Sequence, residues 1–150
     1  MIITFFGHSN FRRNTDVETR IMNFLEEYVG DKRADIYLGG YGNFDEFAYE
    51  CCKKYRESHP GVSLVFVTPY LTPEYQKNYL ADISKRYDSV IYPEIEKYPM
   101  RLAIVYRNRF MVDSADFVLA YVTHTWGGAY NTYKYAERKR KTIFNFADLK

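Results

Sequence analysis

Three segments of the chain combine glycine with small polar residues directly after a predicted strand. They are Gly7–Asn10, Gly39–Asn43 and Thr123–Gly128. Glycine lets a backbone turn with positive φ or approach a ligand closely, and a helix that follows such a turn presents unpaired N–H groups. A close backbone approach and unpaired N–H groups together favour the binding of a phosphate group. The alternative is that the glycines only make tight strand-to-helix turns, but three such segments at one sheet edge favour a ligand site.

Signatures for a cofactor or a metal are not found in the sequence. None of the three segments completes the dinucleotide pattern G-x-G-x-x-G or the P-loop pattern G-x-x-x-x-G-K-[ST]. The two cysteines, Cys51 and Cys52, are adjacent rather than spaced as C-x-x-C, and no histidine pair accompanies them. The sequence therefore predicts no cofactor, no metal site and two buried, reduced thiols.

Two histidines and one glutamate are the candidate proton carriers. His8 and His124 lie in the first and third glycine segments. An imidazole titrates near neutral pH and could move a proton, although a loop histidine that only forms hydrogen bonds is the alternative. Glu46 is either a catalytic carboxylate or, three residues after Asn43, the reciprocal partner of a helix cap. The catalytic candidates are therefore Glu46 and His8.

Aromatic side chains are abundant in and beside the same segments. They are Tyr41, Phe44, Trp126, Tyr130 and Tyr133. Their faces could stack a nucleobase, or they could become buried in a subunit interface, and the second alternative predicts a homo-oligomer. No basic stripe is interleaved among them, which makes nucleic acid an unlikely partner.

Composition sets wider limits on the protein. Its 150 residues are 47% hydrophobic and 27% charged, which fits one compact domain over residues 1–150. A formal net charge of +2 gives no whole-molecule field that would draw the protein onto nucleic acid or an anionic membrane. No apolar run approaches the ~20 residues of a bilayer span, and the N-terminal segment does not resemble a signal peptide. These features predict a cytoplasmic protein with no membrane contact.

Short apolar runs alternate with stretches of helical periodicity, a pattern typical of a parallel sheet covered by helices on both faces. Strands are predicted at 2–6, 35–38, 62–67, 116–122 and 142–146, and helices from Thr15 (with a Thr15–Glu18 capping box), from an Asn43 cap, from Thr72-Pro73, from Arg101 and from Gly127. Segment 88–99 is predicted to be irregular. The expected fold is a three-layer α/β sandwich of about five mostly parallel strands in the order 3-2-1-4-5.

The chain resembles the SLOG superfamily of Rossmann-like domains, in particular its small stand-alone bacterial and phage members. The resemblance covers nearly the whole chain and rests on FFGHSN, GGYGNFDEFAYE, YPEIEKYP, RNRFMVDSADFVLAYV and GGAYNTYKYAERKRKTIFN. The superfamily includes the DNA-processing protein DprA and the LOG phosphoribohydrolases, which release a base from a nucleoside monophosphate. The resemblance implies a Rossmann-like fold and a pocket for a small nucleotide or nucleotide-derived phosphorylated ligand.

The resemblance also implies a set of ligand-binding residues. Arg107 and Asn108 stand where such proteins carry a ligand-facing pair, and a planar guanidinium suits a phosphate. Ser9 stands where relatives often carry arginine, so either Arg12 or Arg13 replaces that guanidinium or the ligand carries less charge. The full predicted set is Gly7, His8, Ser9, Gly39, Gly40, Gly42, Asn43, Arg107, Asn108, Gly127, Gly128 and Thr132.

The same comparison bears on catalysis. LOG-type hydrolases carry PGGxGTxxE after the fourth strand, and here the pair Gly127-Gly128 is present but Lys134 stands in place of the glutamate. A cation cannot act as that carboxylate. The sequence therefore predicts a nucleotide sensor or binding domain without efficient phosphoribohydrolase activity. The alternatives are a nucleoside-monophosphate N-glycosidase that uses Glu46 and His8, and DprA-like binding of single-stranded nucleic acid.

Overall fold

The computed structural model describes residues 1–149, and its centre is a six-stranded parallel sheet. The strands are β1 (Ile2–Gly7), β2 (Ala34–Leu38), β3 (Val62–Val67), β4 (Ser89–Ile91), β5 (Phe117–Tyr121) and β6 (Thr142–Asn145). They lie in the order β4-β3-β2-β1-β5-β6, and every neighbouring pair is parallel. The predicted α/β class and the predicted order of the five longer strands are confirmed.

The predicted count of five strands is one too low because β4 was not predicted. This strand is three residues long and pairs with β3 at the sheet edge, where Ser89 lies opposite Val65 and Ile91 opposite Val67. It lies in segment 88–99, which was predicted to be irregular. Three residues carry too little hydrophobic pattern to indicate a strand, and the edge position needs only one buried face.

Helices cover both faces of the sheet and give the predicted three layers. They are α1 (Thr15–Tyr28), α2 (Asn43–Arg56), α3 (73–86, with a π-helical turn at Gln76–Leu80 and a 3-10 turn at Ser84–Arg86), α4 (Ala103–Ser114) and α5 (Gly127–Arg138). Successive strand side chains point to opposite faces. Accordingly, Leu64 and Phe66 join the buried cluster of α1 and α2, whereas Val65 and Val67 share a buried cluster with Met111 of α4.

The strand order reverses at β1, which has β2 on one side and β5 on the other. Ile3, which is fully buried, lies opposite Ile36 of β2 and Phe117 of β5. The crossovers leave β1 in opposite directions on the two sides, so a crevice opens outside the carboxyl ends of β1 and β5. All three glycine segments follow strands that end at this edge.

Two predicted helix caps are wrong by one residue. Asn14, not Thr15, caps α1, because its Oδ1 accepts the backbone N–H of Val17 at 2.8 Å. In α2 the cap is Gly42, with φ of 88°, and Asn43 is the first helical residue. The Asn43 backbone N–H instead donates to the carbonyl oxygen of Ser9 at 2.9 Å, which ties the first two glycine segments together.

The sequence also led to expectations about metal binding, about the two cysteine thiols and about membrane-spanning segments. No group of three or more His, Cys, Asp or Glu within residues 1–149 is arranged to hold a metal ion. Cys51 and Cys52 are buried on α2, and burial raises the pKa of the Cys51 thiol to about 12. Across the described residues, no helix has both the length and the apolar character needed to cross a bilayer.

Candidate functional site

A cavity of about 400 Å³ opens at the point where the strand order reverses, and we call it the switch cavity. Of the predicted ligand-binding residues, the lining includes Gly7, His8, Ser9, Arg107, Asn108, Gly127, Gly128 and Thr132. Others in the lining that were not in the predicted set are Phe6, Asn10, Tyr41, Asp45, Ile104, Met111, His124, Trp126 and Ala129. The predicted residues that lie outside it are Gly39, Gly40, Gly42, Asn43 and Glu46.

The N-terminus of α5 forms one wall of the switch cavity. Gly127 has a φ of 90°, and a Cβ built on Gly127 or Gly128 meets no atom of residues 1–149 within 4 Å apart from its chain neighbours and the backbone of its own helix. No side chain in the described part of the chain caps this helix, so its first N–H groups have no side-chain hydrogen-bond partner there. The hydroxyl of Thr132 donates to the Gly128 carbonyl at 3.0 Å, which fixes the first turn. Free N–H groups at the positive end of a helix dipole suit an anion such as phosphate.

Arg107 forms the floor of the switch cavity and is only 2% exposed. Its Nη1 donates to the carbonyl oxygens of Gly39 at 3.0 Å and Val67 at 2.9 Å, and its Nε donates to Oδ1 of Asn108 at 2.9 Å. Burial lowers the pKa of this guanidinium, and the nearby Asp45 opposes that effect. Arg107 therefore clamps the carboxyl ends of β2 and β3 in addition to lining the cavity, a role that its sequence context did not indicate.

Glycines outside the cavity allow its lining residues to approach one another. A Cβ on Gly39 would lie 2.9 Å from Cζ of Arg107, and a Cβ on Gly42 would lie 2.7 Å from Cα of Ser9. Contacts this short do not occur, so any side chain at Gly39 would displace the guanidinium. These two glycines act on the site by close packing and have no contact with the cavity.

Two histidines and the single tryptophan form a stack at the rim of the switch cavity. The ring centroids of His8 and His124 are 3.8 Å apart, and those of His124 and Trp126 are 3.9 Å apart. Trp126 ends the stack and is 68% exposed. The Nε2 atom of His8 accepts the backbone N–H of Thr123 at 2.9 Å. Burial, together with the neighbouring His124, lowers the pKa of His8, so its ring is neutral at pH 7.

The carboxyl group that reaches the switch cavity belongs to Asp45, not to Glu46. Oδ2 of Asp45 accepts the backbone N–H of Tyr41 at 2.9 Å, and burial raises the pKa of Asp45 to about 7. Glu46 instead pairs with Arg86 at 2.5 Å in a separate surface cleft. Asp45 therefore offers an acid or base group that titrates near neutral pH inside the cavity.

Arg12 and Arg13, which were considered as replacements for the arginine that relatives carry at the position of Ser9, lie outside the switch cavity. Arg13 pairs with Glu50 of α2, and Arg12 is exposed outside the cavity lining. Arg107 is the one permanently charged cationic side chain of residues 1–149 that lines the switch cavity. The electrostatic attraction for a phosphate is therefore concentrated at Arg107 and the start of α5.

Fold and site together define a Rossmann-like α/β protein with a ligand crevice at the point where the strand order reverses. The solved structures similar to it include DNA processing protein A (DprA) from Streptococcus pneumoniae, with a TM-score of 0.65 and 16% identity. DprA from Helicobacter pylori, described with a unique single-stranded DNA binding mode, matches with a TM-score of 0.60 and 16% identity.

These matches cover 95% and 97% of this chain, which spans 49% of the S. pneumoniae chain and 64% of the H. pylori chain. No protein-family model and no curated protein sequence matches the chain. At 16% identity the likeness shows the fold alone.

The expectation that nucleic acid is an unlikely partner is wrong. It rested on the net charge of +2 and on the lack of a basic stripe, whereas a protein of this fold is described with a single-stranded DNA binding mode. Net charge describes the field of the whole molecule and does not exclude a local site that uses backbone N–H groups and aromatic faces.

Proposed function

We propose that the protein binds single-stranded nucleic acid, with the phosphate of one nucleotide in the switch cavity and its base stacked on Trp126 at the rim. The observation that carries this proposal is the open N-terminus of α5 beside the exposed ring of Trp126. One element offers a phosphate site and the other offers a stacking surface. The likeness in fold to H. pylori DprA supports the same function. We further propose that residues 1–150 form one domain of the SLOG superfamily.

The phosphate is assigned to the first turn of α5. Gly127 and Gly128 leave room for an oxygen to approach the helix N–H groups, and neither Asp nor Glu occurs in that first turn. In the floor, Arg107 adds a fixed positive charge. Hydrogen bonds from N–H groups to an anion are shorter and stronger than those between neutral partners.

The base is assigned to the outer face of Trp126. The inner face of this ring already stacks on His124, so a base on the outer face extends an existing stack. Base stacking on an aromatic side chain contributes about 1–3 kcal/mol and depends little on the identity of the base. Such binding needs unstacked bases, so it selects single strands over duplexes.

Few cations at the site predict a shallow dependence of binding on salt. For single strands, log K falls with log[salt] by about 0.7 for each phosphate that a cation neutralises. With Arg107 as the one permanent cation that residues 1–149 contribute to the cavity lining, one or two phosphate contacts correspond to a slope of about −1.

Trp126 makes a direct test possible because it is the only tryptophan in the chain. An eight-nucleotide single strand should quench its fluorescence saturably, and a duplex of the same sequence should not. By anisotropy of the labelled strand, Trp126→Ala should weaken binding about tenfold or more, whereas Trp126→Phe should retain most of the affinity. Equal binding of strand and duplex, or wild-type affinity in Trp126→Ala, contradicts the proposal.

A small phosphorylated nucleotide is the second candidate ligand. A cavity of about 400 Å³ lies in the range of pockets that hold one small molecule. A thermal-shift screen with nucleoside monophosphates, NAD, ADP-ribose and cyclic nucleotides would reveal such a ligand, since a hundredfold excess over Kd stabilises by about 2.7 kcal/mol. A mononucleotide that binds as tightly as the eight-nucleotide strand would favour a nucleotide sensor over a nucleic-acid binder.

A further inference from the structure

A second cavity, of about 330 Å³, lies outside the carboxyl ends of β3 and β4, and we call it the tyrosine cavity. Three tyrosines line it, Tyr70, Tyr92 and Tyr98, together with apolar side chains that include Ile95 and Met100. Met100 is 60% exposed, so the cavity opens to solvent on that side. The proposed binding of one nucleotide at the switch cavity does not involve the tyrosine cavity.

The two cavities adjoin the same helix within one turn. Ala103 of α4 lines the tyrosine cavity, and its neighbour Ile104 lines the switch cavity. Arg107, one turn further along α4, donates to the carbonyl oxygen of Val67, from which the chain runs on to Tyr70. Four residues of a helix span about 6 Å along its axis, and a stacked strand rises about 3.4 Å per nucleotide. The residues of α4 that line the two cavities therefore lie within about two nucleotide rises of each other along the helix axis.

A series of tyrosine rings also connects the two cavities. The ring centroids of Tyr70 and Tyr75 are 5.2 Å apart, and those of Tyr75 and Tyr79 are 5.1 Å apart. The hydroxyl of Tyr79 donates to the carbonyl oxygen of Gly40 at 3.3 Å, beside Tyr41 of the switch cavity. Aromatic surface thus continues along the carboxyl edge of the sheet from one cavity to the other.

The charge of the tyrosine cavity selects the part of a nucleotide that can enter. Glu96 is the only charged side chain of residues 1–149 in its lining. A carboxylate repels a phosphate but accepts a hydrogen bond from the amino group of a base, as it does from cytosine in nucleic-acid recognition. The Nζ atom of Lys97 lies 5.2 Å from the centre of the Tyr98 ring, next to the cavity, where it can meet the connecting phosphate.

We propose that the tyrosine cavity is a second base-binding subsite, which takes an amino-bearing base of the same single strand whose neighbouring nucleotide occupies the switch cavity. This inference rests on the proposed function and extends it from one nucleotide to a strand. It also predicts a preference that stacking alone does not produce, for cytosine over thymine at the second subsite.

The test compares (dC)8, (dT)8 and the mononucleotide dCMP by quenching of Trp126 and by anisotropy of labelled strands. The wild-type protein should bind (dC)8 about fivefold more tightly than (dT)8. Tyr92→Ala should weaken both strands several-fold, and Glu96→Leu should abolish the preference for (dC)8. Glu27→Leu is the matched control, because Glu27 is an exposed residue of α1 and its loss changes the net charge equally. Binding of dCMP at the switch cavity, measured by quenching of Trp126, should be unchanged in all three variants.

The outcomes separate this inference from the proposed function. If both strands bind and depend on Trp126, but Tyr92→Ala and Glu96→Leu bind like Glu27→Leu, the second subsite is overturned and the switch cavity remains. If neither strand nor dCMP binds, both proposals are overturned. Because Glu96 is exposed, Glu96→Leu should fold even if Tyr92→Ala does not, and thermal unfolding of each variant checks this.

Discussion

The backbone N–H of Thr123 donates a hydrogen bond to Nε2 of His8 over 2.9 Å, which fixes the tautomer of the ring. With Nε2 accepting, the proton of the neutral imidazole is on Nδ1. Every fully buried side-chain nitrogen and oxygen of residues 1–149 has a hydrogen-bond partner. Since no partner for Nδ1 of His8 is found among those residues, solvent must reach it from the cavity that His8 lines. His8 thus offers a ligand a donor, which favours binding over proton abstraction.

Replacing His8 with glutamine should flatten the acidic side of the stability profile. Burial and His124 lower the pKa of His8 below 6.5, so the unfolded chain binds more protons and stability is lost as the pH falls below 6.5. In His8→Gln, Oε1 can still accept the Thr123 N–H, and the side chain does not titrate. Urea unfolding between pH 7 and pH 5 should show a smaller loss of unfolding free energy in the variant than in wild type.

His59→Gln is the matched control for that experiment. It also removes one histidine, but His59 contacts the Tyr55 carbonyl and Glu26, away from the switch cavity. Both variants retain Asp45, whose titration affects them equally. Identical profiles for His8→Gln and His59→Gln would contradict the assignment of a lowered pKa to His8 by burial and by His124.

Titration of Asp45 should give the free energy of unfolding the opposite pH dependence, with a more stable protein at low pH. Burial raises its pKa from 3.8 to about 7, so the folded state holds a proton that the unfolded chain releases. The stabilisation is complete below pH 3.8 and is lost as the pH rises to about 7, a change on the order of 4 kcal/mol. Asp45→Asn resembles the protonated form and should lose this dependence. Urea unfolding at pH 4.5 and pH 8 measures it, and Asp31→Asn, at an exposed site, should behave like wild type.

Arg107→Ala should destabilise the protein as well as weaken binding. The substitution leaves the carbonyl oxygens of Gly39 and Val67 without their donor and removes a buried cation from beside Asp45. Hydrogen bonds to a charged group contribute about 1.5–3 kcal/mol each, so the loss of these two costs about 3–5 kcal/mol. Chemical unfolding should show a loss of this size, whereas Arg12→Ala, at an exposed arginine, should change stability by less than about 0.5 kcal/mol. If Arg107→Ala were as stable as wild type and lost only ligand binding, the role of Arg107 in holding the carboxyl ends of β2 and β3 together would be wrong.

How much of the site could be predicted from sequence is illustrated by Asp45 and Glu46. The loop, the helix and Glu46 were predicted, Asp45 was not among the predicted site residues, and the helix starts after Gly42 instead of after Asn43. One residue is about 100° of rotation on a helix with 3.6 residues per turn. Two adjacent carboxyl groups on a helix therefore point in different directions, and the one that meets the switch cavity is that of Asp45. Sequence periodicity locates a helix well and fixes its first residue poorly, because several residues can cap it.

The fold was more predictable than the contacts of single polar residues. Buried apolar runs such as residues 62–67 indicate strands by themselves, and the crossover rule then fixes their order. The burial of Arg107 has no comparable sequence pattern, because it depends on carbonyl oxygens that are 40 and 68 residues away along the chain. A net charge of +2 likewise describes the whole chain, so it does not indicate which charged and polar groups the fold brings together in the switch cavity.

The protein should not hydrolyse the N-glycosidic bond of a nucleoside monophosphate. Lys134 stands in place of the LOG-type glutamate and pairs with Glu137 at 3.0 Å, while Glu46 pairs with Arg86 outside the switch cavity. A catalytic carboxylate must come within about 2.6–3.2 Å of the leaving base or the attacking water, or reach it through one water. We therefore expect no release of adenine from AMP above the buffer background, as measured by chromatography. Adenine release that is lost in Asp45→Asn but retained in Glu46→Gln would establish a weak N-glycosidase that uses the carboxyl group of Asp45 in the cavity. Adenine release that is lost in Glu46→Gln would instead require the second glycine segment, Gly39–Asn43, to close over the sugar.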